Sequence, residues 1–175
     1  GREVDTGVAE VNVSLAGEVR VAGAHVDLGS YGVDMFTLRY ASAGQFRDPG
    51  EFTYPHGTFI PAPSIPLDGA VCLQRDRNGK LVGEEDCLFL DIYRPGNRTS
   101  STSGLPVMVF IHGGGLQSGS KNSLPVNAYA PFANEGVIVV AINYRLNAFG
   151  FWTNPHNAKD GLWGLKDQIT ALRWV

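Results

Sequence analysis

The chain has 175 residues, a formal net charge of −3 and 43% hydrophobic residues, enough apolar material for the core of one ordinary domain. Its 14 cations are outnumbered by 17 acids and are scattered, so a basic surface for nucleic acid or an anionic membrane is not expected. No apolar run approaches the ~20 residues of a membrane span. The first residue is Gly1 with no charged-then-apolar leader behind it, which reads as a leader removed or a start inside a longer chain.

Residues 1–23 alternate, with Val11, Val13 and Leu15, then Ala16-Gly17, then Val19 and Val21. That pattern predicts two half-buried antiparallel strands joined by a tight turn at the edge of the fold. Residues 24–70 read as an irregular segment, rich in Gly and Pro, whose seven aromatics hold it against the body as a long loop. Cys72 and Cys87 bracket a turn centred on Asn78-Gly79. They are either a disulfide pair or two buried thiols; as a disulfide they would close a loop of about 15 residues, worth about 3 kcal/mol in chain entropy. Two Asn-x-Ser/Thr sequons occur, at Asn12 and Asn97. Asn97 is the better glycosylation candidate, because Pro95–Gly104 reads as an exposed loop. Paired cysteines and a loop sequon favour an oxidising, secretory compartment.

Residues 88–93 and 107–111 read as strands and, with the turn between them, as a hairpin-like pair entering the central sheet. Val107–Ile111 is apolar without alternation, the pattern of a strand buried on both faces. It stops at His112-Gly113-Gly114-Gly115. Read blandly, this is a glycine-rich turn leaving a strand. Three glycines in a row nevertheless cost backbone entropy and bring no packing. Bare N–H groups at a strand end suit a developing oxyanion, as in the acyl-transfer chemistry of His-Gly-Gly-Gly loops. A short helix over 128–135 and a buried strand over 136–143 follow, so this strand and 107–111 should be parallel neighbours joined by a crossover. After a loop over 147–161, Leu165, Ile169, Leu172 and Val175 fall on one face of a helix, with Asp167 near its start, where its charge suits the dipole. That helix has no stop signal and is unfinished at Val175. Its apolar face and the last strand's edge are expected to be partly uncovered.

In combination these stretches resemble the type-B carboxylesterases, the group that includes the cholinesterases. The resemblance is carried by Glu84–Pro95, by Leu105–Gly115 with Ser118-Gly119-Ser120, by Val140–Leu146 with Phe149-Gly150-Phe151, and by Gly161–Gln168 with Ala171–Val175. It runs from about Gly17 to Val175 and implies the N-terminal part of an α/β-hydrolase fold: small antiparallel strands, then a mixed central sheet with crossover helices. Residues 1–175 would be an N-terminal portion of one domain, incomplete without the chain that follows. The resemblance further implies that Gly114 and Gly115 donate two N–H groups to the oxyanion, that Gly113 shapes the turn and that His112 supports the loop without acting as a base. Cys72–Cys87 would be a disulfide and Arg145–Asp167 a buried structural pair, while Glu85 would pair with Arg39 or Arg47. No cofactor and no metal are implied.

The departures are specific. No Gly-x-Ser-x-Gly elbow is present. Ser118 precedes Gly119 but follows the glycine loop, so it reads as structural, and the nucleophile, acid and base are expected beyond Val175. Residues 36–41 replace the family's Gly-Ile-Pro-Tyr-Ala, Leu162 stands where the family has a buried asparagine, and Leu116 replaces an aromatic. Two functions follow as expectations. The first is a carboxylic ester hydrolase acting through a serine acyl-enzyme on a small ester or lipid, partnered by the remainder of its own domain, on the same precursor or as a separate chain. The second is a non-catalytic esterase-like domain for adhesion or extracellular assembly.

Overall fold

A computed structural model describes residues 11–15, 19–29, 32–63, 70–96, 104–153 and 161–175. Its main sheet is built from β1 (Val11–Leu15), β2 (Val19–Asp27), β3 (Gly32–Arg39), β4 (Phe59–Ile60), β5 (Phe89–Pro95), β6 (Val107–Ile111) and β7 (Ile138–Ile142). The order across it is β1-β2-β3-β5-β7-β6, with β4 beside β2. Most neighbours are antiparallel; β6 and β7 are parallel, as is the short β2–β4 pairing. The helices are α1 (Val126–Asn134), α2 (Asn147–Phe151) and α3 (Trp163–Trp174).

Strand alternation sorts the core into two layers. Val33 and Met35 of β3, Tyr93 of β5 and Val139 and Ala141 of β7 face α1, meeting Tyr129, Ala130 and Ala133. The alternate residues Phe36, Leu38, Leu90, Val140 and Ile142 face the other way, towards Tyr144, Leu146 and Ala171 of α3. Most of each layer is apolar because each of these central strands is covered on both sides.

Three expectations change. The segment 24–70 is not irregular throughout: β2 runs on to Asp27, and β3 is a central strand paired with both β2 and β5. Two-sided burial erases the alternation that would have marked it, and Asp34 in its middle looks like a loop residue. Asp34 is 2% exposed and is held by His25 Nδ1 at 2.7 Å and Arg94 Nη2 at 3.1 Å. The strands 88–93 and 107–111 are not a hairpin, because β7 lies between them, antiparallel to β5 and parallel to β6. The crossover through α1 puts β7 beside β6, and β7, almost wholly buried, takes the inner place. β6 is not buried on both faces among the described residues: Val107 is 47% and Ile111 40% exposed.

The face of α3 carrying Leu165, Ile169 and Leu172 is likewise exposed, and the helix buries Trp163, Gly164, Asp167, Thr170 and Ala171 instead. Asp167 is thus recruited to the interior and not to the helix dipole. No helix among the described residues is long and apolar enough to cross a membrane.

Leu162, at the start of α3, has φ 51° and ψ 33° and is 47% exposed, so the expected asparagine position is not a buried one here. Left-handed backbone costs a residue with a Cβ about 1–2 kcal/mol, and asparagine tolerates it far better than leucine. Leu162→Asn should therefore raise unfolding stability by about 1 kcal/mol in denaturant titration. A loss of similar size would show that packing of the leucine outweighs its backbone strain.

Candidate active site

The glycine loop begins where β6 ends. His112 is 3% exposed, and its ring stacks on Tyr144 with centroids 4.3 Å apart. Its Nδ1–H donates to Gly113 O at 2.9 Å, and its carbonyl accepts from the Tyr144 hydroxyl at 2.8 Å. Burial pushes the His112 imidazole below its ordinary pKa, so it is neutral with Nδ1 committed to the loop.

Beyond it the backbone turns left-handed at Gly114 (φ 121°), Gly115 (φ 61°) and Leu116 (φ 63°). A Cβ on Gly114 would lie 1.9 Å from Ser118 O, a main-chain atom, so only glycine fits. Gln117 N–H and Ser118 N–H donate to Gly114 O at 3.1 and 3.2 Å, folding the loop back on itself. Among the described residues, the Gly114 and Gly115 amides have no hydrogen-bond acceptor, and all three glycines are exposed. Ser118 Oγ donates to Gly114 O at 3.4 Å, a contact within the loop.

Neighbouring segments fix this loop. Cys72 and Cys87 form a disulfide with sulfurs 2.10 Å apart and Cα atoms 5.0 Å apart. Gln74, two residues past it, pairs with both main-chain atoms of Gly119. On the opposite shoulder, Asn147 donates its N–H to Leu116 O at 2.9 Å and its Nδ2 to Gln117 O at 2.9 Å. An open groove beside the loop is lined by Leu73, Arg75, Gly114, Gln117 and Phe149.

Arg145, just past β7, binds Asp167 through Nε at 2.8 Å, Nη2 at 2.7 Å and its own backbone N–H at 3.0 Å. Its Nη1 donates to Arg47 O and Gly44 O. Burial raises the Asp167 pKa, and the Arg145 bonds oppose that rise. The arrangement joins β7, α3 and the 44–47 segment. Arg39 bridges Asp86 instead of Glu85, whose carboxylate accepts from Gln45 Nε2 at 3.1 Å. Asn97 lies outside the described residues, and Asn12 sits in β1 opposite Ala22.

Sequence reasoning missed the polar centre of this region. Lys121 and Asp91 are both fully buried, with Nζ 2.8 Å from Oδ2. Thr37 Oγ1 donates to the other carboxylate oxygen at 2.6 Å, and Lys121 Nζ also reaches Asn122 Oδ1 at 3.2 Å. Lys121 N–H donates to Asn143 Oδ1, while Asn143 Nδ2 donates to Ala70 O and Cys87 O. Lys121 looks like a surface lysine within Gly-Ser-Lys-Asn-Ser. The available signal was Asp91: an acid on an otherwise buried strand demands a cation.

A mixed sheet whose parallel pair is joined by a crossover helix, with a glycine loop at the end of the first parallel strand, is the N-terminal part of an α/β-hydrolase fold. The sequence model of the carboxylesterase family matches residues 9–175, and the chain belongs to that family. Carboxylesterase 1D of Mus musculus is 46% identical over 144 residues, covering 79% of this chain and 25% of that protein. Liver carboxylesterase 1 of Oryctolagus cuniculus is 46% identical over 101 residues, 58% of this chain and 17% of that protein. Cocaine esterase of Oryctolagus cuniculus is 36% identical over 173 residues, 91% of this chain and 32% of that protein. The chain therefore spans from about a sixth to about a third of the length of these relatives.

Burial raises the Asp91 pKa, while Lys121 pulls it down. In Lys121→Met the counter-charge is gone, so the folded-state pKa stands still further above the unfolded one. Above that raised pKa the ionised carboxylate disfavours folding; as pH falls through it, the folded state takes up the proton first and stability is regained. Lys121→Met should cost about 3–5 kcal/mol at pH 7.5 in denaturant unfolding, with the deficit relative to wild type shrinking at pH 5. A deficit equal at both pH values would mean that the Asp91 charge is not its source.

Proposed function

We propose that these residues belong to a carboxylic ester hydrolase working through a serine acyl-enzyme, and that they supply the oxyanion-binding loop and not the triad. Residues 1–175 are, in this reading, the N-terminal portion of one α/β-hydrolase domain, with nucleophile, acid and base on the remainder of the same protein. As serine attacks the ester carbonyl, charge collects on the carbonyl oxygen. The Gly114 and Gly115 amides donate to it, Gly113 shapes the approach and His112 holds the turn from beneath. The observation that carries this reading is the pair of exposed amides, without an acceptor among the described residues, held in left-handed backbone at the end of β6. A non-binding turn gains nothing from a conformation that costs a leucine at 116 its backbone ease.

The substrate is a small ester or a lipid ester, and the groove beside the loop, with Leu73 and Phe149 on its wall, supports an apolar acyl or alcohol group. The compartment is the secretory pathway or outside the cell, which suits the Cys72–Cys87 disulfide, and Asn97 and Asn12 are the candidate glycosylation sites.

The full-length protein should hydrolyse short-chain p-nitrophenyl esters and be labelled by a fluorophosphonate. In Gly114→Ala the new Cβ must displace the Ser118 carbonyl and with it the donors, so kcat should fall about 100–1,000-fold while KM changes far less. Full-length protein that is folded yet neither labels nor turns over would instead establish the non-catalytic, assembly-forming alternative.

A further inference from the structure

We propose that Gln74 is a positioning residue for the glycine loop: its side-chain amide grips Gly119 at both main-chain atoms and thereby sets where the Gly114 and Gly115 amides stand. This rests on the ester-hydrolase reading above. Gln74 Oε1 accepts from Gly119 N–H at 2.9 Å, and Gln74 Nε2 donates to Gly119 O at 2.9 Å. The side chain thus copies what a neighbouring β-strand would offer, one acceptor and one donor for one peptide residue. Each hydrogen bond is replaceable alone; the pair fixes both distance and orientation.

A grip on Gly119 reaches the donors because the two shoulders of the loop touch through main chain. Gly119 has φ 108°, and a Cβ on it would fall 2.5 Å from both Gly113 O and His112 Nδ1. A Cβ on Gly114 would fall 1.9 Å from Ser118 O. The nearest atoms are the main-chain oxygens of Gly113 and Ser118 and the buried His112 ring, which is stacked on Tyr144, so little can absorb a shift and a displaced Gly119 moves Gly113 and Gly114 with it.

The grip is itself fixed. Gln74 Nε2 also donates to Cys72 O at 3.0 Å, and Cys72 is held by its disulfide to Cys87, both buried. Gln74-Arg75 pairs with Leu81-Val82 as a short ribbon. Leu73 O, between the disulfide and Gln74, receives Asn147 Nδ2 at 3.3 Å, and the same nitrogen holds Gln117 O. The turn that follows Cys72 therefore holds the glycine loop directly at Gly119 and, through Asn147, at Gln117. It is the frame against which the donors are aligned.

The chemistry singles out a carboxamide. Glutamate at 74 keeps an acceptor for Gly119 N–H but turns a carboxylate oxygen towards Gly119 O and Cys72 O, losing both donated bonds. Alanine removes the grip altogether. The test uses the full-length enzyme, with competent sites counted by fluorophosphonate titration so that misfolded molecules drop out. Misalignment of about 1 Å costs on the order of 100-fold when chemistry depends on it. Gln74→Ala and Gln74→Glu should accordingly lower kcat per titrated site by about 10–100-fold, with KM within about twofold. Affinity for a trifluoromethyl ketone, captured as a tetrahedral adduct, should fall by the same factor as kcat/KM.

If kcat per titrated site is unchanged in both variants while melting temperature falls, Gln74 is only a structural residue and the proposal is overturned. If Gln74→Ala does not fold, the near-isosteric Gln74→Glu carries the decision by the same measurements. A wild-type protein silent to substrate and fluorophosphonate overturns the ester-hydrolase reading and this proposal with it. An active wild type with unaffected Gln74 variants overturns this proposal alone.

Discussion

The ion pair between Lys121 and Asp91 is the constraint on which the rest of the arrangement depends. Both side chains are fully buried, and each is satisfied by groups from separate segments: Thr37 of β3 and Asn122 beside the lysine. Asp91 can reach Lys121 only from the face of β5 that also carries Tyr93. A one-residue slip in the pairing of β5 with β3 or β7 would turn the carboxylate to the opposite layer and strand two charges. An apolar pair of the same volume could be equally stable. The ionic pair differs in tolerating a single register, and it ties the chain that leaves the glycine loop to the centre of the sheet.

Asn143 extends that constraint. Its side chain receives Lys121 N–H and donates to Ala70 O and Cys87 O, while its carbonyl accepts from Tyr40. One residue at the end of β7 thus binds the glycine-loop exit, the disulfide segment and the strand end at residue 40. Two residues on, Arg145 does the same for α3 and for residues 44–47. Loops here are held by side chains and carbonyls of the sheet's rim. The strand interiors supply a platform, and the rim supplies alignment.

Much of this was legible in the chain. Local signals were strong where one pattern dominated: the apolar runs of β6 and β7, the short helix between them and the glycine loop at their mouth. The order of strands was not legible, because β5 and β6 are adjacent in sequence and separated in space by β7, and nothing local marks an insertion. β3 was hidden for a different reason. A strand covered on both faces loses its alternation, and its buried Asp34 depends on His25 and Arg94 from other strands. The polar centre failed most completely. Lys121, Asn143 and Gln74 are ordinary loop-type residues until their partners, 30, 56 and 45 positions away, are brought beside them.

The disulfide bears on how the chain assembles as well as on where it rests. β3 and β5 pair from Arg39 with Phe89, so their first contact closes about fifty residues of chain. Cys72–Cys87 removes fifteen of those residues from the path. Because closure cost grows only with the logarithm of length, that shortcut eases the pairing by about 0.3 kcal/mol, less than a twofold change in rate. Oxidation therefore leaves the timing of sheet formation governed by long-range strand search. Reduced and oxidised chains would find the same sheet at similar speed and differ in how firmly the turn after Cys72 is seated.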